Sequence, residues 1–148
     1  MSHENLKSAR RLYEAFNRGD LVSFEEGVSQ DLEWNEADNS INCVGNPYRG
    51  FAAVVEGVFK PTTADIENFR VDLEQLIDGG DHVIGEGHYR GKGRTTGHEL
   101  SAQFCHVLHF NGEGKLDRLQ EYADTLHEAE VMGQVQRLEM MRMSQPAM

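Results

Sequence analysis

Residues 99 to 115, Glu99-Leu-Ser-Ala-Gln-Phe-Cys-His-Val-Leu-His-Phe-Asn-Gly-Glu-Gly-Lys115, decide how the chain is read. A long strand, Glu99 to Phe110, runs into an Asn-Gly-containing turn at 111 to 114, and a last strand follows from Lys115 to Thr125. Period two puts Phe104, His106, Leu108 and Phe110 on one face and Gln103, Cys105, Val107 and His109 on the other. Both faces are mostly apolar. That fits a strand with one face lining an interior and the other packing on a second subunit, so a homodimer through the outer sheet face is expected.

The same period extends upstream. Phe69, Val71, Leu73, Gln75 and Ile77 alternate against Arg70, Asp72 and Glu74, and Asp78-Gly-Gly-Asp81 turns the chain into a strand from His82 to Gly91. With a Gly-, Lys- and Thr-rich turn at 92 to 98, these strands form an antiparallel meander. Before it the period is helical. Leu6, Ala9, Tyr13 and Phe16, with Leu12 alongside, predict a helix over 3 to 18 that stops at Gly19. Asp20 caps a shorter helix through Phe24 to Val28, and Leu32 to Ala37 reads as a first strand. Residues 38 to 50 are irregular, 51 to 59 form a short buried helix that Pro61 ends, and a final helix is predicted from Glu128 to Arg142, with Val131, Val135, Leu138 and Met141 on one side. Helices first and a curled antiparallel sheet afterwards is an α+β order. A bent sheet wrapped around N-terminal helices forms a cone with an internal pocket, the usual place for a ligand.

Composition limits what such a fold could serve. With 148 residues, 39% of them hydrophobic, the chain fits a single domain, 1 to 148, whose core spans about 5 to 127 with a C-terminal helix and tail at 128 to 148. The formal net charge of -11 argues against nucleic acid and against anionic membrane surfaces. No apolar stretch approaches the roughly 20 residues of a spanning helix, and the N-terminus lacks a signal peptide's basic and apolar regions, so a cytoplasmic location is expected. Cys43 and Cys105 form no metal-spacing motif and are read as thiols.

One residue breaks the apolar pattern of the first strand. In Leu32-Glu-Trp-Asn-Glu-Ala37, alternation points Glu36 the same way as Leu32 and Trp34. A buried carboxyl is paired, protonated or functional, because burying it ionised and alone costs several kcal/mol. His106 and Glu121 also travel with apolar neighbours, on separate strands. Convergence of Glu36, His106 and Glu121 in one cavity would make an acid/base site. Against that, a histidine on an apolar strand is commonly a hydrogen-bonded core residue, and Glu121 could pair with Arg118 or Arg90 at a sheet edge. His106 and His109 point to opposite faces, and His82, His88, His98 and His127 show no ligand pattern, so no metal and no cofactor is expected. Gly91-Lys-Gly-Arg94 lacks the following helix of a phosphate loop and reads as a solvated turn.

Several short motifs together resemble the SnoaL-like branch of the nuclear transport factor 2-like (cystatin-like) superfamily. They are the helix end Tyr13-Glu-Ala-Phe-Asn-Arg-Gly-Asp20, Trp34-Asn-Glu36, Pro47-Tyr-Arg-Gly50 and Glu121-Tyr-Ala-Asp-Thr125, and the likeness spans residues 5 to about 127. The family holds ketosteroid isomerase, polyketide cyclases, epoxide hydrolases and dehydratases beside members without known activity, so fold alone does not give the reaction. Aligning Phe110-Asn-Gly-Glu-Gly-Lys115 on the similar turn of ketosteroid isomerase implies that His106 stands where that enzyme has an oxyanion-hole aspartic acid, and Glu36 where it has the general base. The family tyrosine of the first helix falls on Leu12, with Tyr13 turned about 100° away. The last strand resembles that of limonene epoxide hydrolase-like members, with Leu119 and Gln120 in place of their Trp and Arg.

The resulting expectation is a small cofactor-independent enzyme carrying out acid/base proton transfer, of isomerase, cyclase or dehydratase type, on an apolar oxygenated small molecule. Glu36 is the expected base, His106 the donor to substrate oxygen, and Glu121 the holder of water or a second polar group. Trp34, Tyr48, Phe51, Val55, Phe59, Phe104, Leu108 and Leu119 are the expected binding residues. The alternative is a non-catalytic ligand-binding or dimerisation module whose buried polar residues satisfy one another.

Overall fold

Helix α1, Ser2–Asn17, buries Ala9, Leu12, Tyr13 and Ala15 along one side. It ends where Gly19 takes φ 74°, and the backbone N–H groups of Gly19 and Asp20 reach back to Phe16 and Ala15 at 3.0 and 2.9 Å. Asp20 then caps α2, Leu21–Glu26, by accepting the Ser23 N–H at 3.0 Å. In this computed structural model residues 2 to 134, together with Met143, are described.

Strand β1, Val28–Asn35, buries Leu32 and Trp34 as period two requires, and Glu36 follows directly on its end. The irregular segment after it contains a 3-10 turn, Cys43–Gly45, and a short strand β2, Tyr48–Arg49, antiparallel to β1. The next helix differs from expectation. It runs as α3, Phe51–Val54, a π-helical turn, Val55–Phe59, and α4, Lys60–Asp65, so Pro61 does not end it. The wide turn carries the chain past the proline, and the Gly57 carbonyl that Pro61 cannot bond lies 3.4 Å from the Tyr48 hydroxyl.

Strands β3, Ile66–Gly79, β4, His82–Gly93, β5, Glu99–Phe110, and β6, Leu116–Ala123, form the antiparallel meander. Strand β1 joins it in parallel beside β6, giving a curved, unclosed six-stranded sheet in the order β2-β1-β6-β5-β4-β3. A register shift between Leu73 and Gln75 reverses the parity of β3 halfway along. Leu76 consequently packs inward while Ile77, predicted to share the Val71 face, is 40% exposed. The Asn17 side chain exchanges two hydrogen bonds with the Val71 backbone, at 2.8 and 2.9 Å, and so fixes the end of α1 against β3.

Two apolar clusters result. One joins α1, α2, β1 and the α3 region to β6 through Leu12, Phe24, Trp34, Val54 and Leu116. The other joins β3, β4 and β5 through Ile66, Val71, Tyr89, Leu100 and Phe104, and it takes in Tyr13 and Val131. Helix α5, Thr125–Val131, is capped by Asp124 and begins earlier than predicted, while Val135, Leu138 and Met141 of the predicted helix lie outside the described residues. No helix among the described residues is long and apolar enough to cross a membrane.

Candidate functional site

Strand register brings the chemistry together before any side chain is considered. His106 faces Gly85 across the β4–β5 ladder and Glu121 across the β5–β6 ladder. All three positions point to the concave side. Glycine at 85 matters because a Cβ there would strike the hydroxyl of Tyr13. That hydroxyl uses the space to reach His106 Nδ1 at 2.8 Å.

Tyr13 is therefore not turned away, as the placement of the family tyrosine on Leu12 implied. Both Leu12 and Tyr13 line the cavity, because the helix lies in the cone with two adjacent columns of side chains facing inward. On its other side His106 Nε2 meets the Tyr89 hydroxyl at 2.6 Å, and that hydroxyl also bonds Glu121 Oε2. The second oxygen of Glu121 accepts the Ala37 N–H at 3.1 Å. Glu36 Oε2 accepts the Trp34 indole N–H at 2.8 Å, and Asn46 holds the Glu36 backbone with two bonds of 2.9 Å.

Glu36, His106 and Glu121 thus line one cavity, and each is only 5 or 6% exposed. Arg118 and Arg90 pair with Glu33 and Asp72, leaving Glu121 to its tyrosine and backbone partners. The cavity measures about 80 Å³. That is room for several waters or a small ring, compared with the 300 Å³ or more typical of a drug-sized ligand.

Trp34, Phe59, Leu108 and Leu119 stand on the wall as expected, but Tyr48, Phe51, Val55 and Phe104 do not. They form the layer behind it. The Tyr48 hydroxyl donates to the Asn42 carbonyl at 2.6 Å and braces the loop, and Phe51 stacks on Phe24 with ring centres 5.6 Å apart. Val55 packs against the core at the start of the π-helical turn, and Phe104 lies against the rings of His106 and Tyr89 at 4.2 and 4.7 Å. Sequence reasoning missed Tyr13, Tyr89 and Glu128. Tyr89 had a readable signal, since it alternates inward with Val83 and Gly85 on β4.

Burial sets the protonation states. It lowers the His106 pKa to about 3, so the imidazole is neutral with one N–H and one lone pair. Burial and then the charge of Glu121 push the Glu36 carboxyl well above its usual range. Burial also raises Glu121, although its bonds from Tyr89 and Ala37 favour the anion. Glu128, on α5, is raised to about 8 by burial and then by Glu121 and Asp124. Its buried Oε1 is the one buried side-chain polar atom without a hydrogen-bond partner among the described residues.

Donor counting leaves the chain two arrangements. With Glu121 ionised, Tyr89 donates to it, His106 Nε2–H donates to Tyr89, and Tyr13 donates to the Nδ1 lone pair. With Glu121 protonated every bond reverses. His106 Nδ1–H then donates to Tyr13, whose own O–H is released toward the cavity. The pair Glu36 and Glu121 therefore controls whether the cavity sees a hydroxyl donor.

On the outer face the β4–β5 register pairs His82 with His109, and Asp81 joins them, with potential ligand atoms within 4.8 Å. This grouping was not legible from spacing. Asp81 bonds His82 at 2.9 Å and Asp117 bonds His109 at 2.5 Å, and these carboxylates hold the His109 pKa above its usual value. Asp81 is exposed and the two histidines are half-buried.

Residues 9 to 119 match the SnoaL-like domain family. No curated protein matches the chain. Among solved structures, a nuclear transport factor 2-like protein from Burkholderia thailandensis is 27% identical, covering 86% of this chain and 96% of that one with a TM-score of 0.80. TerC, co-crystallised with polyporic acid, is 21% identical over 88% of this chain and 98% of its own, with a TM-score of 0.78. IdmH from Streptomyces antibioticus, described as a candidate polyketide cyclase, is 20% identical over 87% and 98%, with a TM-score of 0.74. The last two establish likeness of fold.

Two outcomes follow from this geometry. Gly85→Ala is expected to displace the Tyr13 hydroxyl from His106, visible as a change in the imidazole nitrogen shifts by NMR. Unchanged shifts would show that the close approach is not limiting.

The second concerns pH. His106 binds its proton less well folded than unfolded, so its contribution is complete above pH 6.5 and is lost toward pH 3. Glu128, like Glu36, binds its proton more tightly folded, so its contribution is complete below pH 4.5 and is lost as pH rises toward 8. Above pH 6.5 the buried carboxyls and His109, whose pKa is also raised, act in the same direction, and urea stability is expected to fall with rising pH, by at most about 1.4 kcal/mol per unit per group. Glu128→Gln should flatten this slope; an unchanged slope would reject Glu128 as a titrating buried group.

Proposed function

We propose, for a chain that belongs to the SnoaL-like domain family, that the cavity carries out cofactor-independent acid/base proton transfer on a small, apolar, oxygenated molecule. The observation that carries this reading is the continuous chain Tyr13–His106–Tyr89–Glu121 with Glu36 on the same cavity. In the competent state Glu36 is the anion, Glu121 is protonated, and the released Tyr13 O–H meets the substrate carbonyl oxygen. Glu36 takes a proton from the carbon next to that carbonyl. Negative charge developing on oxygen is met by Tyr13, which high-pKa burial keeps protonated.

The proton count then balances within the site. Tyr13 passes its proton to oxygen and receives the one on His106 Nδ1, His106 takes the Tyr89 proton at Nε2, and Tyr89 takes the Glu121 proton. Glu36 ends protonated and Glu121 ionised, one proton gained and one lost. Returning the Glu36 proton to a different carbon while the chain runs backward gives an isomerisation. His106 acts here through Tyr13 and not by direct donation, since both of its nitrogens are engaged. The second reading, a non-catalytic ligand module, draws on the internal satisfaction of His106 and Glu121 and on the small cavity.

We also propose that the outer sheet face, with Cys105 and Val107 half-buried in the isolated chain, is covered by a second copy.

Small cyclic ketones in D2O, followed by NMR, test the chemistry. Wild-type protein should accelerate exchange of the protons next to the carbonyl, Glu36→Gln should lose about 10²- to 10⁴-fold, and Tyr89→Phe, which cuts the chain, should lose less. Exchange at the buffer rate across the panel would leave the non-catalytic module, and equal acceleration by Glu36→Gln would reject Glu36 as the base. Sedimentation velocity checks the assembly: a dimer is expected for the wild type and a monomer for Val107→Glu, and a monomeric wild type refutes it.

A further inference from the structure

Among the described residues the cavity is lined by three carboxyl groups, Glu36, Glu121 and Glu128, and by no lysine or arginine. Its single imidazole is neutral. Glu36 has the Trp34 indole N–H on Oε2, and Glu121 has Tyr89 and the Ala37 backbone on its two oxygens. Glu128 differs, because its buried Oε1 receives no donor among the described residues. A buried acceptor without a donor is rare and costs on the order of 1–3 kcal/mol, so its retention calls for a reason.

The helix that carries it is firmly placed. Asp124 caps α5 through the His127 N–H at 3.1 Å, the Ser101 N–H bonds His127 Nε2 at 3.1 Å, and the Thr96 hydroxyl bonds the Val131 carbonyl at 2.5 Å. Ala129 and Val131 are buried. Glu128 is thus held at the cavity by its neighbours on α5. It does not drift there for lack of a better place.

We propose that Glu128 is a ligand-binding residue and that the cavity takes small apolar molecules carrying a protonated basic nitrogen. An ammonium N–H supplies the donor that Oε1 lacks. Its charge offsets the mutual repulsion among three carboxyls, which in their low-dielectric surroundings otherwise keep one another protonated. The walls suit the same ligand, since Phe16, Phe24, Trp34, Phe59 and Tyr89 line the cavity and aromatic rings attract a cation. An anionic ligand meets like charge, with no countercharge on the wall among the described residues. The net charge of -11 draws cations toward the whole molecule and adds to association rate. The groups facing Glu128 are Glu36 at the end of β1, Tyr89 on β4, Glu121 on β6 and Asp124 at its own helix cap.

This inference rests on reading the cavity as a ligand site and not on proton transfer there, so it stands or falls separately from the exchange experiment. Cyclopentylamine, cyclopentanol and cyclopentanecarboxylate share a ring that tests the space and differ in charge. Trp34, the only tryptophan, lies on the cavity wall and reports binding by fluorescence. The amine should bind at least about tenfold more tightly than the alcohol, and the carboxylate more weakly than either. Glu128→Gln should lose most of the amine preference while keeping alcohol affinity within about twofold. Calorimetry of wild-type protein at pH 7 in buffers of different ionisation heat should show proton release on amine binding, which needs no variant to fold. Equal affinity for amine and alcohol, tighter binding of the carboxylate, absence of amine binding, or an amine preference unchanged in Glu128→Gln each overturns the proposal.

Discussion

The register of three adjacent strands, β4, β5 and β6, sets Gly85, His106 and Glu121 abreast on the concave face, and the site follows from that alignment. The gap at Gly85 admits Tyr13 from helix α1, and Tyr89 closes the chain between His106 and Glu121. One hydrogen-bonded line thereby joins the first helix to three strands far along the chain. A slip of one residue in β5 would turn His106 to the outer face and bring Cys105 in, which breaks the line at its centre. The apolar neighbours Phe104 and Leu108 would turn out with it, so core packing protects the register that the polar chain needs.

Such a line is tolerated inside the protein because nearly every member is satisfied. His106 has a partner for each nitrogen, and Glu121 has one for each oxygen. Low dielectric strengthens these bonds and penalises any gap in them. The same burial that raises Glu36 and lowers His106 makes proton position, not net charge, the variable of the cavity. Glu128 is the exception to this satisfaction, and it lies in the same acidic field.

Around the site, residues that touch nothing reactive hold those that do. Asn46 clamps the backbone of Glu36, Tyr48 braces the loop that carries Asn46, and the π-helical turn swings Val58 and Phe59 onto the cavity wall. The apolar residues expected to line the cavity therefore divide into a wall and a supporting layer. Their composition is the same in both, and sequence patterning cannot tell one apolar layer from the next.

The sequence by itself determined the change of period from 3.6 to 2, the meander, the caps at Gly19 and Asp20, and the inward parity of Glu36, His106 and Glu121. Each of these is a local property of spacing or of backbone chemistry. The helical period already put Tyr13 on the apolar side with Leu6, Ala9 and Phe16, and only the tertiary structure decided that its hydroxyl meets His106 over Gly85, because that contact joins a helix to strands far along the chain. It alone decided that Ile77 turns outward, since a bulge resets parity without a glycine or proline to mark it. Glu128 became part of the site when α5 folded back onto β5, and Pro61 was carried within a helix by the wide turn before it. These are outcomes of how separate elements meet, and contacts between residues distant in the chain have no signature in the spacing of either partner.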